Sequence, residues 1–368
     1  MPRLQDKVVI VTGSSSGFGR GIAKMCAAEG AKIVVSDVHE KPNTGGFEGD
    51  AGLTTVKAIE KADGRAIYVN CDVTKSDEVA NLVAETVNAF GRLDVMINNA
   101  GVYRNGKRLH EFSEADLDFC FNVNAKGTFF GSQEAIKQFL SQGDGGVIVN
   151  LVSTAGLQGH PNQSVYNISK GAQANLTRCL AIEYGKDGIR VNGICPTYAK
   201  TSLTRELFDD KDFDQVFTDS IPLKRWGEVE DVANLAVFLA SDESSYIHGD
   251  LIKVDGGETL CRYSVQQQLT ALRPVRSRGG ARSLRAYHGD PVLLMHVCDS
   301  AELGRFGPSA RKSDPIGCSG LSRRPYARLR LSVVVAARSR RACPQPLHSI
   351  IAECGAAPGQ GPSLDRMR

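Results

Sequence analysis

The chain has 368 residues, of which 42% are hydrophobic, 23% charged and 7% aromatic, a composition that supports a real apolar core and excludes collagen-like and low-complexity chains. Residues 1–261 carry 26 Lys+Arg against 35 Asp+Glu, and residues 262–368 carry 18 against 6, so the formal charge of +3 conceals an acidic body and a basic tail. No apolar run approaches the roughly 20 residues of a spanning helix, Met1–Asp6 is too short and polar for a signal peptide, and ten cysteines include no Cys-x-x-Cys pair. The expectation is a cytoplasmic protein with reduced thiols, no membrane contact and no metal.

In chain order, Lys7–Val11 is a β-branched run that reads as a strand buried on both faces. Gly19–Glu29 follows with helical spacing, then a second strand, Lys32–Ser36, ending at Asp37. Further strands are expected at Ala66–Asn70, Asp94–Asn98, Gly146–Leu151, Ile189–Ile194 and Leu251–Val254. Helical patterns lie between them at Ser76–Phe90, Ser113–Leu140, Ser164–Tyr184 and Glu228–Ala240. Alternation of this kind predicts an α/β fold, a doubly wound parallel sheet of Rossmann type, forming a single domain over 1–260. Thr201–Pro222 shows no strand pattern and carries Leu203, Leu207, Phe208, Phe213, Phe217 and Ile221, apolar residues that suggest a greasy, cyclic secondary alcohol or ketone. Residues 261–368 break the pattern: after Cys261 the tail has 17 Arg to 1 Lys and little periodicity. A disordered extension is expected there; its charges are dispersed and not interleaved with aromatics, which argues against nucleic-acid binding.

Thr12 to Gly19 links the first strand to the first helix. Glycines Gly13, Gly17 and Gly19, with Ser15 and Phe18, let backbone approach a pyrophosphate over the helix N-terminus. Asp37, 18 residues beyond Gly19, is placed to accept hydrogen bonds from an adenosine ribose and to repel a 2′-phosphate, so NAD is expected over NADP. Asn99, Ala100 and Gly101 follow the Asp94–Asn98 strand, where small residues admit the adenine side of a dinucleotide. Tyr166 and Lys170 share one helix face by their i, i+4 spacing. A phenol is a poor base near neutral pH, and a neighbouring ammonium favours its phenolate. Ser153, just past a strand end, offers a hydroxyl to a substrate oxygen. His160 reads as a structural loop residue, with pocket lining as the alternative.

Together these motifs resemble the short-chain dehydrogenase/reductase family over residues 5–257, matching at Thr12–Gly19, Asp72-Val73, Asn98–Gly101, Asn124, Ser153, Tyr166, Lys170, Arg190–Asn192 and Val254–Gly257. The resemblance implies hydride transfer between NAD(H) and a secondary alcohol or ketone, with Asn124, Ser153, Tyr166 and Lys170 as the catalytic set. It further implies that Asp72 and Val73 flank the adenine and that Pro196, Ala199 and Thr201 contact the cofactor. Lys170 would bind the nicotinamide ribose, and Asn124 would hold a water of a proton relay. A homodimer or homotetramer is also implied. Two features depart from the family pattern: Pro196-Thr197 stands where Pro-Gly is usual, and the tail outlasts the final motif. An NADP-dependent ketone reductase and a catalytically silent NAD-binding regulator are the alternative readings.

Overall fold

The computed structural model describes residues 2–50, 52–261, 274–276 and 282–284. Two units lie along the chain, Met1–Gln267 and Gln268–Arg368. The described part of the second is an antiparallel strand pair, Pro274–Arg276 with Arg282–Leu284. The disordered extension expected over 261–368 otherwise lies outside the described residues.

In the first unit, β1 (Val8–Thr12), β2 (Lys32–Asp37), β3 (Arg65–Asn70), β4 (Val95–Asn98), β5 (Gly146–Leu151), β6 (Ile189–Pro196) and β7 (Leu251–Val254) form one sheet in the order β3-β2-β1-β4-β5-β6-β7. Each neighbouring pair is parallel. The chain winds outward from β1 to β3, then returns to β4 and winds the other way. That reversal opens a crevice beyond the carboxyl ends of β1 and β4, the usual ligand position in such sheets.

Helices α1 (Gly17–Ala28) and α9 (Val229–Ala240) cover one face of the sheet, burying Ile22, Val232 and Val237 against Val9, Ile33 and Ile97. On the other face, α3 (Ser76–Phe90), α5 (Gly127–Gln142) and α6 (Ser164–Tyr184) bury Leu82, Phe139 and Leu180 against Ile10, Met96 and Ile148. With both faces covered, the central strands are apolar throughout, which is why they read as β-branched runs. A buried polar ladder fixes α6 on the sheet: Asn98 Nδ2 donates to Asn150 Oδ1 at 2.9 Å, and Asn150 Nδ2 donates to Thr177 Oγ1 at 2.9 Å.

Two segments differ from the sequence expectation. The helical pattern over Ser113–Leu140 comprises α4 (Glu114–Cys120), a π-helical turn at Phe121–Lys126 and α5. Asn124 sits in that wider turn, a geometry often found at functional sites. Over Thr201–Pro222 the chain forms α7 (Arg205–Asp209) and α8 (Lys211–Ser220). Their apolar side chains do not line the crevice. Phe217, Ile221 and Trp226 are buried together, with Leu207, Phe208 and Phe213 packed on them. Of the six apolar residues that suggested a greasy pocket, only Leu203 faces it. The other five pack this segment together, so Leu203 alone of the six brings its apolar side chain to the cleft.

Candidate active site

A cleft of about 790 Å³ runs along the carboxyl edge of the sheet, from Asp37 past the glycine turn to Tyr166. The glycine turn is built for close approach. Gly13 has φ +64°, and a Cβ there would lie 2.7 Å from the Ala100 Cα. At Gly19 a Cβ would lie 2.2 Å from the Gly13 carbonyl oxygen. Asn99 fastens the turn, its Nδ2 donating to the carbonyls of Thr12 at 2.8 Å and Gly13 at 3.0 Å. The Gly17 N–H, at the start of α1, donates to Glu48 Oε1 at 2.7 Å, so the turn already holds an oxyanion. Asp37 accepts from the Ser15 N–H at 3.1 Å and the Val38 N–H at 2.8 Å. Burial pushes its pKa upward against the pull of these donors.

At the other end, Tyr166 and Lys170 lie on α6 and Ser153 follows β5. Tyr166 and Ser153 line the same cleft. Ser153 Oγ accepts from the Ala155 N–H at 3.1 Å, which fixes its rotamer. Lys170 Nζ donates to the Leu151 carbonyl at 2.8 Å and stands 5.6 Å from the centroid of the Tyr166 ring. Burial holds the Lys170 pKa down to about 7. The same effect pushes the Tyr166 pKa up, with Ser153 drawing it back. An ammonium at Lys170 would favour the phenolate against this burial. The amine is tied to a carbonyl, and burial removes much of its charge.

Sixteen of the expected site residues line this one cleft: Gly13, Ser15, Gly17, Phe18, Asp37, Asp72, Val73, Asn99, Ala100, Gly101, Ser153, Tyr166, Lys170, Pro196, Ala199 and Thr201. Two lie behind it. Gly19 packs under the turn. Asn124 is fully buried, accepting from the Val102 N–H at 2.8 Å and donating to Ser169 Oγ at 2.9 Å. A Cβ added at Gly101 would lie 3.4 Å from Asn124 Oδ1 and 3.7 Å from Lys170 Nζ, so these two groups converge on the chain after β4. Thr197 adopts ordinary negative-φ backbone; its hydroxyl donates to Glu258 and its N–H to the Val254 carbonyl. The missing glycine at that position thus leaves β6 undisturbed. His160, buried, also lines the cleft.

The family model described as enoyl-(acyl carrier protein) reductase matches residues 13–259. An uncharacterized oxidoreductase of Thermotoga maritima is 40% identical over 69% of this chain and 98% of its own length. The 2-dehydro-3-deoxy-D-gluconate 5-dehydrogenase of Dickeya dadantii is 37% identical over 69% of this chain and 96% of its own. A gluconate 5-dehydrogenase structure from Burkholderia cenocepacia, in complex with NADP and tartrate, superposes with a TM-score of 0.64 at 30% identity, covering 70% of this chain and 98% of that one.

The chain belongs to the short-chain dehydrogenase/reductase family.

It is accordingly an NAD(P)-dependent oxidoreductase acting on CH–OH groups. The residues of this short-chain dehydrogenase/reductase fit such a cofactor: the Gly13–Gly19 cradle admits close backbone approach, Gly17 offers an anion-binding amide, and Asp37 stands at the β2 terminus. Three cleft residues escaped the sequence reading: Tyr103, Gln163 and Tyr198. Each lies within three positions of a motif already recognised, after Gly101, before Tyr166 and after Pro196. Proximity to those motifs was the one available signal. Lys41, at the Asp37 end, was also passed over.

Proposed function

We propose that this protein interconverts a secondary alcohol and a ketone with NAD(H), using Tyr166 as the proton-transferring group, Ser153 as oxyanion donor, Lys170 as electrostatic partner and Asn124 as a positioning residue. The observation that carries the reading is that Tyr166, Ser153 and Lys170 line the one cleft that begins at the glycine turn, with the Lys170 amine 5.6 Å from the Tyr166 ring centroid. A bound nicotinamide supplies the hydride acceptor in oxidation and the hydride donor in reduction. In reduction, the Tyr166 hydroxyl gives its proton to the carbonyl oxygen while Ser153 Oγ hydrogen-bonds that oxygen as charge develops. In oxidation, the phenolate takes the alcohol proton, and a charged Lys170 lowers the cost of that phenolate. Asn124 holds the Val102 backbone, which keeps the wall after β4 in place beside Lys170.

The preference for NAD rests on Asp37, whose carboxylate faces the site of a ribose 2′-oxygen and would repel a phosphate there. Lys41 favours the second reading, a NADP-dependent ketone reductase, because its ammonium borders the same end of the cleft. Lys41 is exposed on a loop, whereas Asp37 is held by two backbone donors, which supports the NAD reading. Residues 1–260 are proposed as the catalytic domain, acting as a cytoplasmic homodimer or homotetramer.

The test is turnover of an alcohol and ketone panel with each cofactor by wild type and Tyr166→Phe. The expected result is higher kcat/KM with NAD(H), and a loss of at least about 100-fold in the variant with dinucleotide binding retained. Undiminished turnover by Tyr166→Phe would refute the assignment.

A further inference from the structure

Gln163 lines the cleft three residues before Tyr166, at the N-cap of α6, where its carbonyl accepts the Asn167 N–H at 3.0 Å and fixes the backbone. The residue is only 3% exposed, so each polar group of its side-chain amide calls for a partner. The oxygen finds its partners in the protein. The Tyr103 hydroxyl donates to Gln163 Oε1, and the Tyr198 hydroxyl reaches the same atom at 3.4 Å. The Asn105 side chain draws the Tyr103 phenol toward its charged form against burial, as an amide N–H donating to that oxygen does. The Tyr103 proton is thereby left for Gln163, and the amide is held with its oxygen toward the phenols.

The nitrogen is on the other side of that balance. Among the described residues Nε2 meets no acceptor, and it is not sealed from solvent, so its two N–H groups open on the cleft. Tyr103 packs edge-on against Tyr166, ring centroids 4.9 Å apart, which sets the amide close to the position of the reacting carbon. A neutral pair of donors takes an acceptor oxygen, and a ketone or a carboxylate supplies one. His160 lines the same cleft and excludes neither. A simple alcohol, with its one oxygen engaged at Tyr166, would leave the amide donors unpaired once the cleft is filled, and a buried unpaired donor is costly.

We propose that Gln163 is a specificity-determining residue whose Nε2 donates to a second oxygen of the substrate, on a carbon one or two bonds from the reacting one, so that the substrate is a hydroxyketone or a hydroxy acid and not a simple alcohol. This rests on the oxidoreductase reading above.

The experiment measures kcat and KM of the full-length protein on pentan-2-ol, on the hydroxyketones acetoin and 4-hydroxypentan-2-one, and on lactate and 3-hydroxybutyrate. Wild type should prefer the best of the oxygenated substrates over pentan-2-ol by at least about tenfold, and that substrate's being ketone or acid names the source of the oxygen. Gln163→Glu keeps the shape and the acceptor for both phenols but replaces the amide donors by an oxygen. It should lower the ratio of that substrate to pentan-2-ol by about 3- to 10-fold, mainly through KM, with the larger fall for an acid because of charge repulsion. Gln163→Leu should lower the same ratio without that distinction between acid and ketone. Equal losses on every substrate in both variants, the result of a residue that only props Tyr103, overturns the proposal. So does a wild type that uses pentan-2-ol as well as the oxygenated substrates. Persistence of activity in Tyr166→Phe overturns the catalytic reading instead, so the two failures are distinct.

Discussion

Lys170 illustrates how the proposed catalytic arrangement taxes the fold that carries it. Its side chain is 4% exposed and its amine bonds one backbone carbonyl. Burial lowers its pKa from the ordinary 10.5 to about 7. Between those values the unfolded chain binds more proton than the native one, so this residue makes stability rise with pH across that window, by at most about 1.4 kcal/mol per pH unit. Below pH 7 the full cost is paid; near 10.5 it is gone. The Tyr166 phenol, whose pKa is raised by folding, acts only above its ordinary value of 10.0 and so touches only the top of that window. Replacing Lys170 by Met should therefore stabilise the cofactor-free protein at pH 7, with the advantage shrinking toward about pH 10. Urea unfolding of both proteins across the range checks this. An advantage that stays constant or grows with pH would contradict a buried, depressed amine.

Among the elements, the segment between β2 and α2 (Thr55–Glu60) has the least local pattern and the most specific contacts. Asp50 pins it to α1 through Arg20 at 3.0 Å and Lys24 at 2.6 Å. Phe47 packs edge-on against Phe208 of α7, ring centroids 5.1 Å apart, under the Arg205 guanidinium at 4.2 Å. Between these anchors Glu48 places its Oε1 on the Gly17 amide, while its Oε2 is buried without a partner. A dinucleotide pyrophosphate needs that same amide, so binding must first displace the carboxylate. Glu48→Ala should tighten NADH binding by about 2- to 10-fold, the worth of roughly one hydrogen bond, measured by fluorescence titration; weaker binding in the variant would show that Glu48 assists the cofactor. None of this was legible beforehand, because Pro42 to Leu53 makes tertiary contacts that no periodicity encodes. The central strands were legible, since two-sided burial demands short apolar runs. The π-turn was not: one wide turn leaves the apolar spacing of Ser113–Leu140 unchanged while re-aiming Asn124. Helix α8 did carry a signal, Asp210, whose carboxylate caps the Asp212 and Phe213 amides at 3.1 Å each.

For the molecule as a whole, the site is assembled from the ends of β1 to β6 and the first turns of α6, so its residues reach one cleft only when the parallel sheet is complete. That dependence made the site readable: motifs in family order along the chain mark successive strand ends of one edge. What remained hidden was the surface. Helices α5 and α6 leave Phe129 45%, Leu140 49%, Ile168 49% and Ile182 86% exposed, large apolar side chains of the kind that mark interaction sites when they form one patch. These are the helices that follow Asn124 and carry Tyr166, the ones the family resemblance implies as packing across subunits. An isologous interface there would bury each side chain twice, once per protomer. The wild-type chain should therefore run as a dimer or tetramer by light scattering after size exclusion. Charging the face with Phe129→Glu and Ile182→Glu together should shift it toward monomer. Because α6 is held to the sheet from within by the Asn98–Asn150–Thr177 ladder, the dissociated protein should keep its circular dichroism and its dinucleotide affinity. A monomeric wild type, or a doubly substituted protein that still assembles, would place the interface elsewhere.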